Sequence, residues 1–292
     1  MSTALPEPIP APFEHPAAPQ RPELPDGVEP TALAPDWRVW MAFAALLVGF
    51  LAAAVGAVIV TLIGGDLTDP SPAVNILATV VQDLCLIGAA LLFARFAGHP
   101  RPWDFGLRAT RFWPAFGWAL LTWLSFIAVT LAWVKLVGAD NATEKLPSEL
   151  GADESSVALA AVGVLVCVVA PIAEEFFFRG FFFTALRSWK GIWPAALVTG
   201  VIFGGIHAGS SDIAFLVPLA FFGFSLCLLY AKTGSLYPCI AIHAANNSIA
   251  FCSSQGWGWQ IAPVLLAALA LVALVCWIVR LAAGPTPAWV LS

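Results

Sequence analysis

The stretch Pro-Ile-Ala-Glu-Glu-Phe-Phe-Phe-Arg-Gly, residues 171–180, sets two adjacent carboxylates and an arginine in an otherwise apolar segment. A charge in the hydrocarbon region of a bilayer is costly, so ionisable residues there are candidates for function. On a helix, neighbouring residues diverge by about 100°, whereas residues four apart share a face. Glu175 can therefore pair with Arg179, while Glu174 points elsewhere and has no partner on its own helix. The pattern predicts one anchored and one available glutamate.

The composition predicts a membrane protein. Of the 292 residues, 60% are hydrophobic and 11% are charged, and the mean hydropathy is +0.87. A soluble domain would carry roughly a quarter charged residues. The formal net charge is -5, and the sequence has no basic patch beyond what membrane orientation explains, which argues against nucleic-acid binding. We expect an all-α, polytopic helical bundle that has the lipid bilayer as its main partner.

Apolar segments that could cross a bilayer recur along the chain. A hydrocarbon core about 30 Å thick needs about 20 apolar residues in a helix. By that criterion we predict about eight transmembrane helices, at 39–63, 73–96, 112–136, 157–186, 193–210, 213–231, 237–255 and 260–281. The fourth segment is long and contains Pro171, so we expect a kink or a projection beyond the bilayer.

The chain divides into a tail and a membrane domain. Residues 1–36 contain ten prolines and little hydrophobic periodicity, which predicts a disordered, Pro-rich tail. Residues 37–292 form the transmembrane domain. Basic residues are concentrated in the loops on the side of the two termini, whereas acids outnumber bases on the other side. The positive-inside rule therefore places both termini in the cytoplasm of a multi-pass protein, and we expect the inner (plasma) membrane.

Two further polar pairs lie downstream in apolar segments. Phe203 and His207 are four residues apart, as are His243 and Asn247, so each pair shares one face of its helix. Together with Glu174, these side chains include the groups needed to activate water and to stabilise an oxyanion.

The fourth and fifth predicted helices form an antiparallel hairpin. Its turn lies near Lys190 and Gly191. Glu174 lies 16 residues before Lys190, and His207 lies 16 residues after Gly191. Equal offsets from a turn place two residues at about the same height on neighbouring antiparallel helices. We therefore expect Glu174 and His207 to face each other across the hairpin.

Each polar group also has a plainer interpretation. A lone buried histidine such as His207 is more often a helix–helix hydrogen bond than a catalyst, and an isolated Glu175–Arg179 pair is more often structural. Gln82 and Asp83 could line a cavity or could bond to a neighbouring helix, and Asp83 is the better functional candidate of the two. The combination favours function, because three apolar helices carry complementary polar sets.

This ordered set resembles the three motifs of the CPBP intramembrane proteases, a family that includes CAAX prenyl endopeptidases and bacteriocin-processing or self-immunity proteins. The resemblance covers about 157–255, and every motif position falls on a predicted helix. The motifs are Glu-Glu-x-x-x-Arg, Phe-x-x-x-His and His-x-x-x-Asn, at Glu174, Glu175, Arg179, Phe203, His207, His243 and Asn247.

The resemblance implies hydrolysis of a peptide bond in a membrane-associated protein or peptide, of which a prenylated CAAX-type substrate is one option. It implies that Glu174 is the general base, helped by His207, and that His243 and Asn247 stabilise the oxyanion. The supporting positions would be Glu175, Arg179 and Phe203. The cofactor stays open between none and zinc, and a zinc ion would be held by Glu174, His207 and His243.

Two other classes of protein remain open. A secondary transporter also holds charges near the membrane midplane and often has inverted repeats, of which the sequence gives no convincing sign. A non-catalytic membrane immunity or scaffold protein would keep the motifs for structure alone. Proteolysis that depends on Glu174 would exclude both.

Overall fold

The computed structural model describes residues 35–65, 70–139, 142 and 144–283. The predicted tail, residues 1–36, lies outside the described residues except for its last two positions.

The described part of the chain is helical and contains no strand. Eight long helices follow one another: α1 (Val39–Gly64), α2 (Pro72–Phe96), α3 (Phe112–Val137), α4 (Ser156–Lys190), α5 (Ile192–Ile206), α6 (Leu216–Thr233), α7 (Leu236–Ser254) and α8 (Ile261–Ala283). Short helical turns occur at Pro102–Phe105, Leu146–Glu149 and Ile213–Phe215. The predicted all-α polytopic bundle is confirmed, and each predicted span overlaps one of the eight helices.

Six helices are long and apolar enough to cross a membrane, namely α1 to α4, α6 and α8. Helix α5 has 15 residues and therefore extends over about 22 Å, less than a hydrocarbon core. Helix α7 has 19 residues, but His243, Asn246 and Asn247 lower its hydropathy. The protein is thus an integral membrane protein. The two less typical helices carry Phe203 and the third polar pair, and His207 directly follows the first of them.

A kink was expected at Pro171 of α4. This helix contains two π-helical segments, Leu165–Val169 and Phe176–Phe183. In the first segment the N–H of Ala170 donates to the carbonyl of Leu165, five residues earlier. The next carbonyl, that of Val166, would need the N–H of Pro171 in the same pattern, and proline has none. The sequence therefore leaves one carbonyl of α4 without a helical donor.

The C-terminal half of α4 packs tightly through its phenylalanines. Phe177, Phe178 and Phe181 have no exposed surface, and Phe182 and Phe183 are equally buried. Lipid tails are as apolar as these rings, so transfer from water contributes little between helices in a bilayer. Aromatic pairs in favourable geometries and close shape-fitting stabilise this region instead.

Helices α5 and α6 approach closely because small residues face each other. A Cβ atom on Gly200 would lie 2.6 Å from the carbonyl oxygen of Ala220, and one on Gly204 would lie 2.5 Å from that of Leu216. Small residues three to four positions apart are how membrane helices bring their backbones together. This contact brings the backbone of α6 next to the polar residues of α4 and α5.

Candidate active site

The predicted pair of Glu175 and Arg179 is present and fully buried. Nη1 of Arg179 donates to Oε1 of Glu175 at 2.7 Å, and neither side chain has exposed surface. Nη2 of Arg179 donates to the carbonyl of Gly223 on α6 at 3.0 Å, and the guanidinium carbon lies 4.5 Å from the ring centre of Phe203. Phe203 thus supports the site through a cation–π contact, and the arginine joins α4, α5 and α6.

Glu175 also binds His243, a contact that the sequence analysis missed. Nδ1 of His243 donates to Oε1 of Glu175 at 2.7 Å, so one carboxylate oxygen accepts from both the arginine and the imidazole. This bond leaves Nε2 of His243 3.9 Å from Oε2 of Glu174. The buried glutamate therefore sets the orientation of the histidine, as second partners of catalytic and metal-binding imidazoles commonly do.

Glu174 is the available glutamate that the spacing predicts. Its side chain keeps 18% of its surface exposed, whereas that of Glu175 has none. Oε2 of Glu174 has no hydrogen-bond partner among the described residues, and His243 is the imidazole in ion-pair range. A carboxylate with an unpaired oxygen next to a fixed imidazole can accept a proton from a water placed between substrate and protein.

Glu174 and His207, which were expected to face each other, both line one cavity. No hydrogen bond or ion pair joins them in the described part of the chain. Helix α5 ends at Ile206 rather than at residue 210, so His207 lies in the turn beyond it. The last carbonyls of a helix lack helical donors, and Nδ1 of His207 donates to one of them, that of Phe203, at 2.6 Å.

Asn247 closes the gap that Pro171 leaves in α4. Its Nδ2 donates to the carbonyl of Val166 at 3.0 Å, which is the carbonyl without a helical donor. This bond ties α7 to α4 about two helical turns before the glutamates. A carboxamide has a second N–H that this bond does not use, so the predicted role of Asn247 as an oxyanion donor stays a prediction.

A cavity of about 410 Å³ brings the predicted residues together. Its polar lining includes Glu174, His207, His243 and Asn247. Asp83 of α2 lines the same cavity, is 2% exposed, and has an Oδ2 atom without a hydrogen-bond partner among the described residues. Four of the predicted polar side chains and Asp83 thus share one space, although Glu174 and His207 do not touch.

The turns after α3 and α5 both line the cavity. Oγ of Ser211 donates to Oε2 of Glu144 at 3.1 Å, which links the two turns. Burial raises the pKa of Glu144, and the hydrogen bond from Ser211 and the charge of His207 oppose that rise.

The zinc set that the resemblance allows is Glu174, His207 and His243. Both histidines engage Nδ1 with an oxygen acceptor, which suits a metal ligand that binds through Nε2. Among the described residues, however, no three His, Cys, Asp or Glu side chains form a group that could hold a metal ion. The arrangement does not fit a zinc ion, and zinc dependence stays a prediction.

Comparisons with known proteins point to the same family as the motifs. Residues 156–249 match the family model described as type II CAAX prenyl endopeptidase, Rce1-like. A stretch of 85 residues is 34% identical to the "Putative membrane peptidase YdiL" of Bacillus subtilis (strain 168), covering 29% of this chain and 34% of that protein. The chain thus matches about a third of that relative's length. No solved structure matches. The resemblance to CPBP proteases is confirmed over the motif segment.

Proposed function

We propose that this integral membrane protein, with its CPBP-type segment at residues 156–249, is an endopeptidase that hydrolyses a peptide bond of a membrane-associated substrate. One observation carries the proposal. Glu174 lines a cavity, has a carboxylate oxygen without a hydrogen-bond partner among the described residues, and lies 3.9 Å from an imidazole that a buried Glu175–Arg179 pair holds in place.

In the proposed reaction, Glu174 takes a proton from a water molecule in the cavity. The resulting hydroxide attacks the scissile carbonyl carbon and forms a tetrahedral intermediate with a negatively charged oxygen. A positioned general base contributes about 10²–10⁴ in rate. His207 lines the same cavity. Its Nδ1–H is fixed on a backbone carbonyl, so Nε2 can accept a hydrogen bond from the water.

The oxyanion is stabilised by His243 and Asn247. Glu175 holds Nδ1 of His243, and a hydrogen on Nε2 of the same imidazole would donate to the developing charge. The second N–H of Asn247 adds another donor on the same helix face. Removing one such donor costs about 10²–10³ in rate in other hydrolases.

The substrate class follows from the family description. Type II CAAX prenyl endopeptidases are the proteins to which residues 156–249 are similar, so a peptide with a prenylated CAAX end is the first substrate to try. We further propose that both termini lie in the cytoplasm and that the host membrane is the inner (plasma) membrane, because basic residues are concentrated on the terminal side. Reporter tags at each end would test this, and a non-cytoplasmic signal from either would refute the topology.

The function is tested with purified protein in liposomes and an internally quenched, farnesylated CAAX peptide. The wild type is compared with Glu174→Gln, which keeps shape and hydrogen bonding but removes the basicity. The matched control is Glu154→Gln, the same change at an exposed loop position. We expect cleavage by the wild type and the control, and loss of turnover with unchanged melting in Glu174→Gln.

A chelator arm separates the two versions of the chemistry. Loss of activity with chelator, and its return with equimolar zinc, would show a zinc enzyme. Activity that survives chelation would show that the protein groups suffice. Wild-type turnover in Glu174→Gln would contradict the assignment of the base, and transport of the peptide without cleavage would favour a transporter.

A further inference from the structure

Asp83 is a buried acid that the proposed reaction does not yet use. It lies in the apolar helix α2, is 2% exposed, and lines the cavity that also holds Glu174. No described residue hydrogen-bonds its Oδ2 atom, so the plainer explanation, a bond to a neighbouring helix, does not account for that oxygen. A carboxyl group inside a membrane helix is expensive and usually has a function.

The surroundings of Asp83 favour an acid that keeps its proton. Helix α1, its main neighbour, has no ionisable side chain. The ionisable groups that line the cavity with Asp83 are Glu174, Glu144, His207 and His243. A carboxyl group that is withdrawn from water and placed near other carboxylates is more stable in its protonated form. Such a group can donate a proton, whereas Glu174, which is more exposed, can accept one.

The proposed reaction also needs a group that protonates the departing nitrogen, a role not yet assigned to any residue. When the tetrahedral intermediate collapses, the departing nitrogen must gain a proton, because an amide anion is a very poor leaving group. Given the proposed peptidase activity, on which this inference rests, we propose that Asp83 is a further catalytic residue that contacts the leaving nitrogen and protonates it.

The proton balance closes without another reactant. Glu174 takes one proton from water as the new C–O bond forms. The C–N bond then breaks while Asp83 gives its proton to the nitrogen, and the products are a carboxylic acid and an amine. Asp83 is left as a carboxylate and Glu174 as an acid. Transfer of that proton from Glu174 to Asp83, directly or through cavity water, restores the starting state.

The test varies the leaving group, because a good leaving group needs no proton. The amide probe is the quenched farnesylated peptide, and the ester probe is the p-nitrophenyl ester of the acyl fragment that the wild type releases from it. Asp83→Asn keeps size and polarity but removes the acid. We expect kcat to fall by about 10²-fold or more on the amide and by less than threefold on the ester. Asp153→Asn, at an exposed position, is the matched control for the substitution.

The outcomes separate the inference from the function. Equal losses on amide and ester in Asp83→Asn would mean a structural role, and no loss on the amide would mean no role, and either overturns the inference. Asp83→Ser is the second variant, should the first not fold, with the same split expected. A wild type that cleaves neither probe, or a fully active Glu174→Gln, would overturn the proposed function instead.

Discussion

Two adjacent glutamates of α4 lie in opposite kinds of environment. Glu175 has no exposed surface and accepts hydrogen bonds from Arg179 and His243 on a single oxygen. Glu174 keeps 18% exposure and lines the cavity. In each glutamate the Oε2 atom has no hydrogen-bond partner among the described residues. The difference shows how one residue step of about 100° on a helix separates two tasks. The buried group orients the site, and the cavity group is the one placed to react.

The same contrast extends to the regions around each glutamate. On the buried side lie the phenylalanine cluster and the close contact of α5 with α6, which leave little freedom of movement. On the cavity side lie Asp83, His207 and Asn247, together with two loop turns joined by one hydrogen bond between side chains. We expect substitutions on the buried side to change stability first and those on the cavity side to change turnover first.

The largest effect on stability is expected from Arg179→Ala. It leaves the carboxylate of Glu175 buried without its cation, at a cost of about 3–5 kcal/mol. The free energy of unfolding in mixed micelles and the yield of folded protein measure it. Arg95→Ala removes an arginine from an exposed position of α2 and serves as the control. Normal yield and melting of Arg179→Ala would contradict the structural role of the pair.

Asn247→Ala tests a residue that belongs to both regions. It leaves the carbonyl of Val166 unpaired, which costs about 1–3 kcal/mol of stability. If the amide is also an oxyanion donor, kcat falls by about 10²–10³-fold at unchanged KM. The neighbouring Asn246→Ala is the control. A loss of stability with unchanged kcat would leave Asn247 a purely structural residue.

A pair of adjacent glycines tests how tight the buried side is. A methyl group on Gly204 would meet the backbone of Leu216 on α6, whereas one on Gly205 meets nothing within 4 Å. We expect Gly204→Ala to cost about 1–3 kcal/mol. Gly205→Ala should be neutral or slightly stabilising, because alanine favours helix more than glycine does. Equal melting of the two variants would mean that α5 and α6 are not in close contact.

The smallest effect is expected from Glu144→Gln, in the loop after α3 that lines the cavity. Because burial raises the pKa of Glu144, the folded state favours the protonated acid. The stability that this group contributes is full below its ordinary pKa of 4.5 and is lost as pH rises through the raised value. Glutamine mimics the protonated acid and still accepts from Ser211.

The Glu144→Gln variant should therefore melt with a weaker pH dependence than the wild type above pH 4.5. Thermal melting of both proteins from acidic to neutral pH measures this difference. The exposed Glu149→Gln is the control. The same pH dependence of melting in the wild type and in Glu144→Gln would show that the pKa of Glu144 is not raised.

The sequence predicts the features that depend on neighbours along the chain. Apolar length places the eight helices, and the four-residue spacing predicts the Glu175–Arg179 pair. The unpaired state of Glu174 follows from the same geometry, because adjacent residues on a helix diverge by about 100°.

Features that depend on contacts between helices could not be predicted in this way. The bond from His243 to Glu175 depends on the depth of α7 relative to α4, and no spacing within either helix encodes that depth. His207 was placed on a helix, but α5 ends at Ile206. His207 belongs to the connection, residues 207–215, that leads to α6. The positions of both histidines of the site, His207 and His243, depend on such features.

The π-helical segments of α4 have a consequence for chain length. Each turn of a π-helix contains about one residue more than a turn of α-helix, so Leu165–Val169 and Phe176–Phe183 each accommodate an additional residue. Deleting one residue in the first segment would return it to α-helix and keep both ends of α4 facing as they do now. The same deletion in the regular helix α5 would turn everything beyond it by about 100°. Helix α4 therefore tolerates a change of length at two defined places while Glu174 keeps facing the cavity.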